Sequence, residues 1–270
     1  MVGILEQNKS LILLKKTKNR IVFMEKYNIE DIIFTIPDNL CEMRSIFSQM
    51  LDSDSLCEVN FANPEFLQTA MKNSILKKHM EKATFNFCDG IGLLMLINKE
   101  MRTNFGVESR YPGTDFFEYL PKEKEIRVFL YGANTENNNN ATILIPKKYS
   151  NITICGHLDG YSNLSDEEIL EKINLSQPDI VIVCLGCPNQ EKWIEKNKEK
   201  LQTKIVFGNG GAIDFWSGNV KRAPAFFIKC KLEWLYRLFQ DFNMKRIRRQ
   251  SKIITFLWEM KIHKYSVRKL

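Results

Sequence analysis

Three short segments carry residue types that could do chemistry, and each follows a run that is apolar and β-prone. Asp89-Gly90 follows residues 84–88, Gly186-Cys-Pro-Asn-Gln-Glu191 follows 179–185, and Gly208-Asn-Gly-Gly-Ala-Ile-Asp214 follows 204–207. A carboxylate at the end of a rigid strand can serve as a general base. Asp89 fits that description, and its place before Gly90 and an apolar helix suits a helix cap equally well. The two glycine-bearing loops run toward expected helix starts, where backbone N–H groups can face a phosphate. Glycine in such loops also serves simply to permit tight turns. Neither loop is a nucleotide fingerprint. No GxxxxGK[ST] occurs, and Gly208-Asn-Gly210-Gly211 lacks the third spaced glycine of GxGxxG. Asp52 and Asp54 form a DxD pair, a spacing able to hold a divalent cation beside a diphosphate. The pair precedes a strand in a Ser/Asp-rich turn, which favours a plain turn. His79, His157 and His263 show no ligand spacing.

The elements that must hold these segments alternate. Strands are expected at 32–36, 57–61, 84–88, 127–131, 152–155, 179–185 and 204–207. Helices are expected at 40–51, 63–82, 91–98, 165–172 and 190–200. Asn63 with Pro64 behind it reads as a cap and first helical residue, and Ser165 with Glu168 reads as a capping box. The 179–185 run is nearly all apolar, as a strand covered on both faces should be. The polar stretch 137–140 reads as a solvated turn. Alternation at this spacing predicts an α/β fold with an open, mostly parallel, Rossmann-like sheet. Ligands then bind beyond the carboxyl ends of the strands, where all three segments fall. The expected organisation is an extension at 1–23 (with Met24 a second candidate start), a core at 24–225, and a basic helical appendage at 226–270.

The 270 residues carry a formal net charge of +7, which favours anionic partners. The charge is concentrated at the end, where residues 245–270 hold nine Lys or Arg. Ile253, Ile254, Leu257 and Trp258 fall on one helical face among them, the pattern of a helix lying on an anionic membrane surface. A nucleic-acid patch and a merely solvated charged face are the other readings of this pattern. No apolar run approaches the ~20 residues needed to span a bilayer. Seven cysteines, of which only Cys184 and Cys187 are closely spaced, around Leu185-Gly186, suit reduced thiols better than a disulfide framework or a zinc site.

Seven pieces in order resemble the WecG/TagA/CpsF family, glycosyltransferase family 26, from about residue 27 to 250. They are Asn63-Pro-Glu, Cys88-Asp-Gly-Ile-Gly, Ser109-Arg-Tyr-Pro-Gly-Thr-Asp, Leu185-Gly-Cys-Pro-Asn-Gln-Glu-Lys-Trp, Gly208-Asn-Gly-Gly-Ala-Ile-Asp-Phe, Ser217-Gly-Asn-Val-Lys-Arg-Ala-Pro and Leu232-Glu-Trp-Leu-Tyr-Arg-Leu. The resemblance implies a UDP-linked donor, typically N-acetylmannosamine or its uronic acid. It also implies a polyprenyl-diphosphate-linked acceptor and inversion at the anomeric carbon. It matches Asp89 to the family's base, with Asn63 and Arg110 beside it in catalysis. It matches Gly186, Pro188, Gln190, Glu191, Gly210, Gly211 and Asp214 to the nucleotide-side loops, and Arg222, Arg237, Arg246 and Arg249 to arginines that complete the site. No cofactor or metal is expected, and no nucleic acid; a homo-oligomer stays open. The expected location is cytoplasmic, on the inner face of a bacterial membrane. Phe61, Cys88 and Phe242 stand where the family usually has Thr, Pro and Pro. On the residues alone, a nicotinamide-dependent oxidoreductase of the same fold type and a non-catalytic membrane or nucleic-acid adaptor remain open.

Overall fold

The structure, a computed structural model, describes residues 24–220 and 244–270, with Pro224 and Phe227 between them. The expected extension at 1–23 and the start of the expected appendage near 226 lie outside the described residues. In chain order the strands are β1 (Glu25–Ile29), β2 (Ile32–Ile36), β3 (Cys57–Ala62), β4 (Phe85–Cys88), β5 (Ile126–Gly132), β6 (Ile152–Leu158), β7 (Ile180–Cys184), β8 (Ile205–Gly208) and β9 (Val267–Lys269). The helices are α1 (Leu40–Leu51), α2 (Pro64–Met71), α3 (Ser74–Lys82), α4 (Ile91–Met101), α5 (Thr135–Lys148), α6 (Asp166–Leu175), α7 (Asn189–Asn197), α8 (Ala212–Trp216) and α9 (Met244–Lys261).

The nine strands among the described residues form one sheet in the order β6-β5-β7-β8-β3-β4-β2-β1-β9. From β6 to β2 every pairing is parallel, and helices return the chain between strands, as a Rossmann-like α/β fold requires. The strand order divides it in two. The first half of the chain builds β3, β4 and β2; the second half builds β8, β7, β5 and β6. The halves are joined where Cys57, Glu58 and Val59 of β3 pair with Ile205, Val206 and Phe207 of β8. Chain-order reversal at that seam opens a crevice at the carboxyl ends. The sheet's interior explains its sequence: all five residues of β7 are buried. Phe47, Phe87, Phe116 and Phe207 pack into one aromatic core that spans the seam.

Four expectations change. First, β1 was not anticipated; it pairs antiparallel with β2 through a two-residue turn in which Glu30 and Asp31 both have positive φ. Second, the helix expected from 63 to 82 is two helices, because Asn73 caps a new one by accepting from the N–H groups of Ile75 and Leu76. Third, residues 137–140 are not a solvated turn but the first half of α5. Asn137 and Asn138 there are buried and hydrogen-bonded to neighbouring elements, and those tertiary partners outweigh asparagine's local preference for turns.

Fourth, the chain's end is helical as expected, but it is built into the body. Phe256 of α9 is fully buried in the core beside Leu67 and Leu93, and β9 extends the sheet beyond β1. Glu259 takes a hydrogen bond from Gln68 Nε2 on α2 (2.8 Å) and another from Tyr265. Lys252 pairs with Glu65 at 3.3 Å. Among the described residues no helix is long and apolar enough to cross a membrane.

Candidate functional site

One side of the candidate site is set by strand register. Ala62 pairs with Cys88 at the ends of β3 and β4, so the next residues, Asn63 and Asp89, leave adjacent strands side by side. The Asp89 N–H donates to Ala62 O (2.9 Å), which fixes the exit of β4 against that of β3. Gly90, not Asp89, occupies the N-cap of α4, and it has no side chain with which to cap that helix. Asn63 does cap α2: its Oδ1 accepts from the Phe66 N–H at 3.0 Å. Its amide N–H groups and the second lone pair of Oδ1 stay available. Arg110 joins them through its neighbour, because Tyr111 N–H donates to Cys88 O at 2.7 Å. Asp89, Asn63 and Arg110, far apart in sequence, thus converge on the ends of β3 and β4.

Across the seam stand the two glycine loops, and they touch. A Cβ on Gly210 would lie 2.9 Å from the Gly186 Cα, so only glycine permits this approach. Gln190 lies between them. Its Oε1 accepts from Gly186 N–H (3.1 Å) and its Nε2 donates to Glu191 Oε1 (2.6 Å). Gln190 is 4% exposed and Glu191 1%, so both brace the loop from inside. Burial also pushes the Glu191 carboxyl up toward its neutral form. Asn189 and Gln190 N–H groups donate to Gly186 O, which turns three amides of this loop inward, away from the anticipated phosphate. Gly210 and Gly211 are exposed, as are Cys187 and Asn189 in the other loop. Pro188 follows a cis peptide bond with Cys187. Desolvation around the sulfur and the neighbouring Glu191 push the Cys187 thiol up, although the residue as a whole is exposed.

Asp214, on α8, accepts from Asn137 Nδ2 at 2.6 Å, and Asn137 in turn accepts from Asn219. The four-asparagine stretch therefore supports the site: Asn137 holds Asp214, while Asn138 donates to Gly132 O and Leu158 O at the ends of β5 and β6. Sequence reasoning missed this. The signal was Asn134, which caps α5 by accepting from Asn137 N–H. Arg222 and Arg237 lie outside the described residues, and Arg246 and Arg249 are described only as backbone positions on α9.

Two acidic groups lie at the other end of the strands. Asp52 and Asp54 are exposed ahead of β3, and Asp52 is bonded to Lys124 Nζ at 2.6 Å. Glu58, His79 and Glu195 have ligand atoms close enough for a metal. There, however, Lys198 Nζ sits 2.9 Å from both carboxylates, in the cation's place.

Comparison with known proteins agrees with this arrangement. The model of the Glycosyl transferase WecG/TagA/CpsF family matches residues 33–269. An N-acetylglucosaminyldiphosphoundecaprenol N-acetyl-beta-D-mannosaminyltransferase from Bacillus spizizenii is 38% identical over 209 residues, covering 75% of this chain and 78% of its own length. One of the same name from Staphylococcus aureus is 31% identical over 211 residues, covering 77% and 81%. The oxidoreductase and adaptor readings fall away, and the chain belongs to the WecG/TagA/CpsF family of glycosyltransferases.

Proposed function

We propose that this enzyme moves an N-acetylmannosamine-type sugar, or a related hexose, from UDP to a polyprenyl-diphosphate-linked sugar, in the making of a cell-surface polysaccharide or teichoic acid. The observation that carries the reading is the convergence of Asp89, Asn63 and Arg110 on one side of the β3–β8 seam, facing the Gly186 and Gly210 loops on the other. The relatives' names support the acceptor and the sugar.

In the proposed step Asp89 takes the proton from the acceptor hydroxyl. The freed oxygen attacks the anomeric carbon as the bond to UDP breaks, which inverts that centre. Negative charge grows on the departing diphosphate. Arg110, with Arg222, Arg237, Arg246 and Arg249, would meet it, together with N–H groups around Gly210 and Gly211. No metal takes part in this reading, because the DxD pair stands at the amino end of β3 and the site at the carboxyl end. UDP release, measured over a panel of UDP-sugars with a lipid-diphosphate-linked N-acetylglucosamine acceptor, tests the reaction. Release from one donor, dependent on acceptor and unaffected by EDTA, is the expected result. Loss in EDTA with recovery in Mn²⁺ or Mg²⁺ would overturn the metal-free step.

The same reading puts the enzyme on the inner face of the cell membrane, where its acceptor resides. Ile254 (68% exposed), Leu257 and Trp258 (60%) point outward from α9, with exposed Ile262 just past its end, while Ile253 is half-buried. The surrounding cations contribute ~1 kcal/mol each near an anionic surface, and the apolar side chains add reversible insertion. Truncation within α9 is a poor test, since it would remove Phe256 and β9 from the fold. The full chain carrying Ile254→Glu and Trp258→Glu should stop sedimenting with phosphatidylglycerol vesicles yet turn over a water-soluble acceptor analogue within about twofold of normal. Unchanged sedimentation would refute the membrane contact.

A further inference from the structure

We infer that Asn209 is a positioning residue for Arg110, tying the base side of the site to the donor side. The inference rests on the proposed role of Arg110 at the diphosphate.

Arg110 lies on a segment strung across the end of β3, and both ends of that segment are pinned. On the β4 side, Tyr111 N–H donates to Cys88 O (2.7 Å), next to Asp89, and Tyr111 Oη donates to Pro37 O (3.1 Å). On the β8 side, Asn209 Nδ2 donates to Gly113 O at 2.8 Å. The mount on which Asn209 sits is itself fixed. Its N–H donates to Val183 O (2.8 Å), and its O accepts from Ala212 N–H (3.0 Å) and from the Cys184 thiol (3.0 Å). A Cβ on Gly113 would press on the Asn209 amide, 2.8 Å from Oδ1 and 3.0 Å from Nδ2. One residue further on, Trp216 Nε1 donates to Thr114 O at 2.9 Å, so the segment keeps a second tie to the β8 side.

This arrangement predicts a particular failure. A single hydrogen bond contributes modestly to folding, and the Tyr111 and Trp216 ties survive its loss. A displacement of about 1 Å in a group that meets the transition state, however, can cost ~10²-fold in rate. Removing the Asn209 donor should therefore loosen Arg110 and lower turnover, leaving the fold in place.

The test is steady-state transfer by Asn209→Ala, Asn209→Asp, Arg110→Ala and the Asn209→Ala/Arg110→Ala pair, with melting temperature as a check on folding. Asn209→Ala should lower kcat about tenfold. Asn209→Asp keeps the volume but sets a carboxylate against Gly113 O, and should do at least as much harm. Once Arg110 is gone, its positioning no longer matters, so the double variant should fall less than about twofold below Arg110→Ala alone. A wild-type kcat in Asn209→Asp, or losses that multiply in the double variant, would overturn the inference. Should Arg110→Ala turn over normally, the role of Arg110 falls and this inference with it. If Arg110→Ala is crippled and Asn209→Ala is not, only the inference falls.

Discussion

The two ends of the sheet solve opposite problems with similar residues. At the carboxyl ends, neutral side chains hold the loops: Gln190 ties Gly186, Asn209 ties Gly113, Asn138 ties Gly132, and Asn137 holds Asp214. At the amino ends, the holding is ionic. His79 Nδ1 lies 2.8 Å from Glu195 and 3.4 Å from Glu58, and Lys198 bridges the same two carboxylates. Its Nε2 meets Asn60 Oδ1 at 3.0 Å. That oxygen must accept, because Asn60 Nδ2 donates to Asn86 Oδ1 and Asn86 Nδ2 donates to Ile33 O and Met80 O. Both ring nitrogens of His79 thus face acceptors, so the ring is a buried imidazolium. Burial opposes that charge, but the hydrogen bonds to Glu195 and Glu58 outweigh it and raise the ring to about 9. The hydrogen bond from His79 in turn lowers Glu195 to about 2. Perturbed titration usually marks a functional site; here it marks the end of the sheet away from the site. The two positive and two negative groups are mutually compensated and mount α3 and α7 on β3.

The largest effect that could break this comparison is at Asp89. Asp89→Asn should keep the fold and UDP binding while transfer falls by at least ~10². Near-normal turnover would leave the carboxyl end without its base.

The second prediction concerns the other end. His79→Leu leaves two partly buried carboxylates with Lys198 alone, which should cost about 2–3 kcal/mol, several degrees in melting temperature. The folded protein, measured well below that temperature, should turn over normally. A collapse of kcat in the folded variant would mean that the ionic cluster reaches the site after all.

The pH dependence of stability sharpens the point. The folded His79 ring titrates at about 9, above the ordinary value of 6.5. Its contribution is therefore fully present below about pH 6.5 and is lost as the pH rises through about 9, a fall of order 3 kcal/mol. Denaturant unfolding between pH 6 and 10 checks this, and His79→Leu should flatten the curve over that window. Glu195 has the opposite sign: its contribution is present above about 4.5 and is lost as the pH falls through about 2.

What was legible in the sequence follows the same division. The parallel strands were readable because burial on both faces leaves long apolar runs, as in β7. The places of Asp89 and the glycine loops past strand ends were readable because the strands before them were. Partners distant in sequence were not. His79 meets Glu195 116 residues away and Asn209 meets Gly113 96 residues away, and no spacing along the chain announces either. The β1–β2 hairpin was hidden for a local reason: Glu30 and Asp31 adopt positive φ without the glycine that normally signals such a turn.

The smallest effect tests whether the carboxyl end is held together by neutral groups, and it falls on Glu191. This carboxyl is 1% exposed, and burial pushes its titration upward. Its visible task is to accept from Gln190 Nε2, which orients the amide whose Oε1 takes the Gly186 N–H. A glutamine at this position keeps an acceptor in the same place and introduces no charge. Glu191→Gln should therefore change transfer by less than about threefold and stability by less than about 1 kcal/mol. Gln190→Ala removes the strut itself and should cost more on both measures. If Glu191→Gln instead matched the loss in Asp89→Asn, Glu191 would have to work as a carboxylate on substrate, and the carboxyl end would hold its loops with charge as the amino end does.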